Sequence, residues 1–366
     1  MKHLTTIALI IPSLRCGGAE RIVTWLANDW VAAGERVLLI TLDGITEPSF
    51  FPLDDRVVRR TVLCGPLGRI GLWGGCAGLL RLRRLIQEHH VGVAMTFVTG
   101  ANVVTPLALY GTGIPVVTAV RDHLTLHRPS LILRALRPLA FSLSRKIVLQ
   151  SDRFAALLPP RLRDRAVTIP NPIFHVPASS PTSPRERRIL CGAGRLVEKK
   201  GFAELITEFA RLTVEFPDWD LFIYGAGPER VRLEHLVCVL GLGDRVFLPG
   251  EVTDLPQRLH EADIFVLSSQ YEGFPNTLCE AMAAGRAVVA RDCPGAIKDI
   301  VVSGVSGIVF TGGIAEALRP LMSDEALRQR LGEHAREVAM RFDPEKIITR
   351  WKGVLSGLGV LPGVRQ

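Results

Sequence analysis

Short apolar runs alternate with helical patterns along this chain, and the whole alternation occurs twice. Before residue 170 the runs 7–11, 37–42, 91–97, 116–120 and 146–149 read as strands. Between the first two, Ile22, Val23, Leu26, Ala27 and Trp30 recur at helical spacing, and Gly34 suits the stop. Strands that are apolar throughout bury both faces, which calls for a parallel sheet covered by helices on each side. The stretch 169–184 then holds five prolines and reads as an extended linker. Beyond it the alternation restarts, with strands at 189–192, 220–224, 246–248, 264–267 and 287–290 and helices at 202–216 and 229–240.

This pattern predicts two sequential α/β domains of Rossmann-like type, facing each other across a cleft. The expected boundaries are 1–170 for the first domain, 171–187 for the linker and 188–340 for the second domain. A closing segment, 341–366, starts a helix with Asp343 as N-cap and Pro344 at the first position. That helix is expected to pack back towards the first domain. In open α/β sheets, ligands bind at the carboxyl ends of the strands.

The 366 residues are 48% hydrophobic and 22% charged, enough to bury two cores. Seven scattered cysteines form no Cys-x-x-Cys pair, which argues against a disulfide framework and a structural zinc site and fits a reducing cytosol. No apolar run is long enough to span a membrane. The net charge of +8 is lopsided: through Pro170 there are 21 Lys or Arg against 11 Asp or Glu, and the remainder holds 23 against 25. Excess positive charge in one half points to an anionic partner there: nucleic acid, a membrane surface or a phosphorylated substrate.

Five motifs carry chemistry. Gly17 and Gly18, between the first strand and first helix, let a ligand approach the backbone at a helix N-terminus, or simply make a tight turn. In 194–202, Gly-Arg-Leu-Val-Glu-Lys-Lys-Gly-Phe, the cations Arg195 and Lys200 flank a short loop after a strand, as a diphosphate leaving group would need. In Tyr-Gly-Ala-Gly-Pro-Glu-Arg, 224–230, Gly225 and Gly227 resemble a dinucleotide fingerprint. Arg230 replaces its last small residue, so nicotinamide binding is not expected, while a turn lining a nucleotide site stays open. Asp218-Trp219-Asp220 has metal-pair spacing but leads straight into a strand, so it reads as a strand-entry turn.

The fifth is Tyr-Glu-Gly-Phe-Pro-Asn-Thr-Leu-Cys-Glu-Ala-Met-Ala-Ala-Gly, 271–285. Thr277 and Glu280 fit a capping box at the start of a helix that Gly285 stops. Glu272 has no such explanation. It sits in the loop at a strand's carboxyl end, beside a helix N-terminus.

Together these motifs, in this order and over nearly the whole length, resemble glycosyltransferase family 4, of GT-B fold. The resemblance implies transfer of a sugar from a nucleotide diphosphate sugar with retention of configuration, and no metal or other cofactor. It implies that Arg195 and Lys200 bind the donor diphosphate, that Gly17 and Gly18 approach it, and that Glu280 accepts from the ribose hydroxyls. Glu272, with main chain near Phe274, Asn276, Thr277 and Leu278, would hold the donor sugar and phosphates. One of Arg121, Asp122 and His123, at the end of the strand 116–120, would face the donor sugar. Where relatives carry Gly-Gly before an acid, this chain has Pro294-Gly295, with Asp299 for the usual glutamate.

In such enzymes the first domain binds the acceptor. Segments 67–90, with Arg69, Arg81, Arg83 and Arg84, and 126–146, with Arg128, Arg134, Arg137, Arg145 and Lys146, are basic and amphipathic. This favours a lipid-linked or lipopolysaccharide acceptor, peripheral contact with an anionic membrane and a cytoplasmic location, with a UDP-hexose or UDP-N-acetylhexosamine as donor. Nucleic acid is not expected, since only 6% of residues are aromatic and no basic-aromatic platform occurs. The alternatives are a nucleotide-sugar epimerase of similar architecture and an inactive nucleotide-sugar-binding module.

Overall fold

The computed structural model describes residues 5–43, 48–62, 72–126, 129–174 and 186–361, with the side chains of 72–76 excepted. Most of the Pro-rich stretch, Arg69 and Arg128 lie outside the described residues. The chain divides into two compact units, 1–171 together with 345–366, and 172–344.

The first unit holds a parallel sheet of β1 (Thr6–Ile11), β2 (Arg36–Thr41), β3 (Val58–Thr61), β4 (Val91–Phe97), β5 (Val116–Ala119), β6 (Lys146–Leu149) and β7 (Ala166–Thr168). Its order is β3-β2-β1-β4-β5-β6-β7. The central strands are apolar because both of their faces are covered: β1 and β5 are buried at every position. The helix Gly18–Ala32 places Ile22, Val23, Leu26, Ala27 and Trp30 on this sheet, and Gly34 takes φ +88° just past its end. At that angle a residue with a side chain is strained, which is why glycine stops the helix there. The closing helix, Pro344–Ser356, buries Ile347, Ile348, Trp351 and Leu355 in the same core, with the Trp351 ring 6.0 Å from that of Phe97.

The second unit holds β8 (Arg188–Ala193), β9 (Trp219–Tyr224), β10 (Val246–Gly250), β11 (Ile264–Leu267), β12 (Ala287–Arg291) and β13 (Ile308–Phe310), in the order β10-β9-β8-β11-β12-β13. In each sheet the order reverses beside the first strand, at β1/β4 and at β8/β11. Loops leaving two such strands diverge to opposite faces of the sheet, and the crevice between them receives ligands. The register setting Phe265 opposite Cys191 brings the ends of β8 and β11 level.

Three short strands, β3, β7 and β13, were not expected. The helix anticipated over 202–216 ends as Phe202–Leu212, and Phe216 enters the core from the following turn.

Candidate functional site

The loops leaving β8, β11 and β12 converge at the reversal point of the second sheet. The β8 loop ends in Lys200-Gly201, where Gly201 has φ +68°. A Cβ there would stand 2.4 Å from the Ser268 carbonyl oxygen, so only glycine permits this approach of the two loops. Ser268 Oγ donates to the Lys200 carbonyl at 2.7 Å, and the Gln270 amide donates to the Lys199 carbonyl at 2.8 Å. The Lys199 ammonium lies 4.9 Å from the Tyr271 ring centre.

This stitching brings together Lys200 and Glu272, 72 residues apart. Lys200 Nζ donates to Glu272 Oε1 at 2.6 Å, and Ser269 Oγ donates to the same oxygen at 2.6 Å. Both charged side chains are largely buried, 15% and 8% exposed. From the β12 loop, Pro294 accepts the Glu272 amide at 3.0 Å. Gly295 lets this loop close on Glu272, since a Cβ there would stand 2.7 Å from its carbonyl oxygen. Arg291 donates to the Ser268 carbonyl and pairs with Glu204. The nearby Cys293 thiol is pushed up to about 12 by burial and by the Glu272 charge, so it stays protonated.

The expectation that Glu272 lacks a structural partner is therefore corrected: it is a buried, ion-paired and hydrogen-bonded carboxylate. The capping box is corrected too. The helix runs Asn276–Ala283 with Pro275 as N-cap and no side-chain cap, and Thr277 Oγ1 lies 3.4 Å from the Ala193 carbonyl instead. With Pro275 at the cap position, the helix starts two residues earlier than the box requires. Asn276, Thr277 and Glu280 are half-buried and share a face of this helix, while Leu278 is fully buried and offers only its backbone. The first-turn amides and the helix dipole leave a positive pole at this corner. Phe274 is buried edge-on against Phe342, ring centres 5.4 Å apart. Arg195 is exposed in the β8 loop, with no side-chain partner among the described residues.

Gly225 and Gly227 are there for the backbone. A Cβ at Gly225 would meet the Gly194 carbonyl oxygen at 2.0 Å, and one at Gly227 the Leu196 carbonyl oxygen at 2.3 Å. Their turn thus braces the loop carrying Arg195. Asp220 is held by Arg187 at 2.8 Å and Arg245 at 3.1 Å, a strand-entry ion pair. Among the described residues no group of three His, Cys, Asp or Glu could hold a metal ion.

In the first unit, Gly17 precedes the helix Gly18–Ala32 in extended backbone, and a Cβ there would strike the Glu20 carboxylate. Gly18 begins the helix. Arg121, Asp122 and His123 follow β5 but part ways. Arg121 Nη1 donates to Asn171 Oδ1 at 2.6 Å, and its guanidinium stands 5.3 and 5.5 Å from the ring centres of Phe97 and Trp351. Its Nε and Nη2 are buried without an acceptor among the described residues. Burial pushes this guanidinium down to about 9.

Asp122 and His123 instead line a small pocket with Thr99, Asn102, Arg137 and Phe141. Asn102 is fixed by Thr96 at 2.7 Å and the Ala119 carbonyl at 2.9 Å. Val98, at the β4–helix junction beside Thr99, has φ +70°, a strained value for a β-branched residue. His123 is buried, its ring edge-on to Phe154 at 5.4 Å and its pKa lowered by burial. Sequence reasoning missed Ser269, Asn102 and Arg137 as contributors; only Arg137 had a signal, as part of the basic segment.

Comparisons with known proteins place this geometry in context. The model for glycosyl transferases group 1 matches residues 178–338, and that for a glycosyl transferase 4-like domain matches 17–172. An uncharacterized glycosyltransferase of Haemophilus influenzae is 25% identical over 93% of this chain and 96% of its own length. The lipopolysaccharide core biosynthesis glycosyltransferase LpsD of Rhizobium meliloti is 35% identical over 46% of this chain and 48% of its own. Among solved structures, Anabaena HepE in complex with UDP and glucose superposes with a TM-score of 0.80 at 21% identity, covering 96% of this chain and 100% of that one.

Proposed function

This chain belongs to glycosyltransferase family 4, of GT-B fold; from that premise we propose that it uses a nucleotide sugar as donor and transfers a hexose or N-acetylhexosamine from a UDP-sugar, with retention, to a lipid-linked or lipopolysaccharide-precursor acceptor. The donor occupies the corner of the second unit where the loops after β8, β11 and β12 meet. The observation that carries this is the buried Lys200–Glu272 pair at 2.6 Å, set beside the N-terminus of the helix Asn276–Ala283.

The chemistry follows from charge. When the glycosidic bond breaks, negative charge grows on the departing diphosphate, and fixed cations and amide dipoles aimed there lower the barrier most. Lys200, held in place by Glu272, Arg195 on its braced loop and the first-turn amides of Asn276–Ala283 supply that field. Glu272, held by Lys200 and Ser269, accepts hydrogen bonds from the donor sugar's hydroxyls. Glu280, one turn into the helix, accepts from the ribose. Asp122, His123 and Arg137 supply polar groups to the acceptor in the first unit. LpsD, similar to this chain over part of its length, and the basic first unit support the acceptor reading, and with it work at the cytoplasmic face of a membrane.

Thermal-shift screening of UDP-, GDP- and dTDP-sugars, followed by transfer of the stabilising donor to membrane lipid extracts, tests this. A true donor raises the melting temperature by mass action. No stabilisation by any of them, with transfer unaltered in Glu272→Ala, overturns it. NMR of the product's anomeric proton reports retention or inversion.

A further inference from the structure

Helix Leu131–Leu143 of the first unit has two unlike faces. Each residue turns the helix by about 100°, which gathers Arg137, Ala140 and Phe141 on one side; Ala140 and Phe141 are buried, and Arg137 reaches the pocket of Asp122 and His123. Ile132, Leu136 and Leu139 gather on the opposite side and stand 72%, 37% and 52% exposed, with Leu131 at 81%. Single exposed aliphatics are ordinary, but a row of them along one helix marks a surface built to be covered. The charge around it says by what. Residues 123–151 hold five Arg or Lys and no Asp or Glu, and Arg134 is exposed on the helix itself. No described helix is long and apolar enough to cross a membrane.

We propose that the Ile132–Leu136–Leu139 face docks on an anionic lipid bilayer. The helix lies in the interfacial plane, its aliphatic row among the upper acyl chains, with the acid-free segment that surrounds it against the headgroup phosphates. This rests on the reading of a membrane-associated acceptor and gives it geometry. The opposite face of the same helix carries Arg137 into the pocket with Asp122 and His123, so a headgroup-linked acceptor meets that pocket at the bilayer surface.

Flotation of the full chain with vesicles of phosphatidylcholine, alone or mixed with phosphatidylglycerol, tests it against the variant Ile132→Ser/Leu136→Ser/Leu139→Ser. Parent protein floats with the anionic vesicles and less with the neutral ones. The variant keeps its melting temperature and its stabilisation by donor, and loses about tenfold or more in binding to anionic vesicles, since inserted methylenes dominate such affinity. Equal flotation of variant and parent overturns the proposal. So does a parent dimer that the variant converts to monomer while vesicle binding is unchanged, because a second copy then covers the face. Vesicle binding without transfer to any lipid extract sinks the acceptor reading and leaves the docking face standing.

Discussion

Lys200 Nζ and Glu272 Oε1 lie 2.6 Å apart and largely out of water, and Ser269 Oγ shares the same carboxylate oxygen. One loop contributes the cation and another the anion, so the pair locks the geometry of the donor corner as well as its charge. A pair of this kind is held by mutual dependence. Removing one partner strands the other as a buried, uncompensated charge at a cost of about 3–5 kcal/mol.

Lys200→Ala and Glu272→Ala are therefore each expected to lower stability by that order, measured by urea unfolding. The double variant is expected to lose less than the sum, with a coupling of about 1–3 kcal/mol. Glu272→Gln keeps the shape and loses the charge; transfer should fall roughly 10²–10³-fold while the fold survives. Additive single losses would mean that the pair is not a unit.

Gly201→Ala should be far worse than Gly34→Ala, although both glycines have positive φ. At Gly34 a Cβ meets nothing within 4 Å, so only the backbone term of about 1 kcal/mol applies. At Gly201 it meets the Ser268 carbonyl oxygen at 2.4 Å. Separating those loops shifts Lys200 from Glu272, so Gly201→Ala should also weaken donor stabilisation in a thermal-shift assay. Gly34→Ala should leave it unchanged.

Much of this was legible in the sequence, and the gaps have physical causes. Central strands such as β1 and β11 announce themselves because both faces are buried. Edge strands do not: β3 is Val-Arg-Arg-Thr with no position fully buried, and β7 and β13 are three residues long. The cations at 195 and 200 and the acids at 272 and 280 were readable as types at strand ends. That Lys200 and Glu272 touch was not, because contact between residues 72 apart is fixed by which strands become neighbours. The separation of Arg121 from Asp122 and His123 was hidden likewise, since Asn171 and Trp351 hold Arg121 from distant parts of the chain.

Arg121 carries a buried charge whose Nε and Nη2 have no acceptor among the described residues. Its pKa in the folded chain, about 9, lies below the unfolded value, so the unfolded state binds more protons between those values and stability rises with pH there. The destabilising charge is fully present below about 9. Arg121→Met, similar in volume and apolar, should therefore melt no lower than the parent at neutral pH, the gap narrowing as pH rises past 9. A clear loss of stability would show that stacking on Phe97 and Trp351 outweighs the desolvation.

His123 gives a pH dependence of the same sign in a lower pH range. Burial lowers its pKa, so the folded chain prefers the neutral ring and the unfolded chain takes up its proton first as pH falls. Its contribution to stability is complete above the ordinary histidine range and is lost on acidification through it. Melting temperatures measured across that range should fall more steeply for the parent than for His123→Gln. Parallel curves would remove His123 from the account.

Trp351 tests how the closing helix is used. It is fully buried, tilted against Phe97 with ring centres 6.0 Å apart, and belongs to the core of the first unit although it lies near the end of the chain. Trp351→Ala opens a cavity there and should cost about 3–5 kcal/mol. The cost should fall on one unit only, because the core of 172–344 is built from other residues. Calorimetry of the variant should then show an early transition for the first unit, and a later one that a bound nucleotide sugar still raises. A single transition lowered as a whole, with donor stabilisation lost, would mean that the two units unfold together and that the donor corner depends on the closing helix.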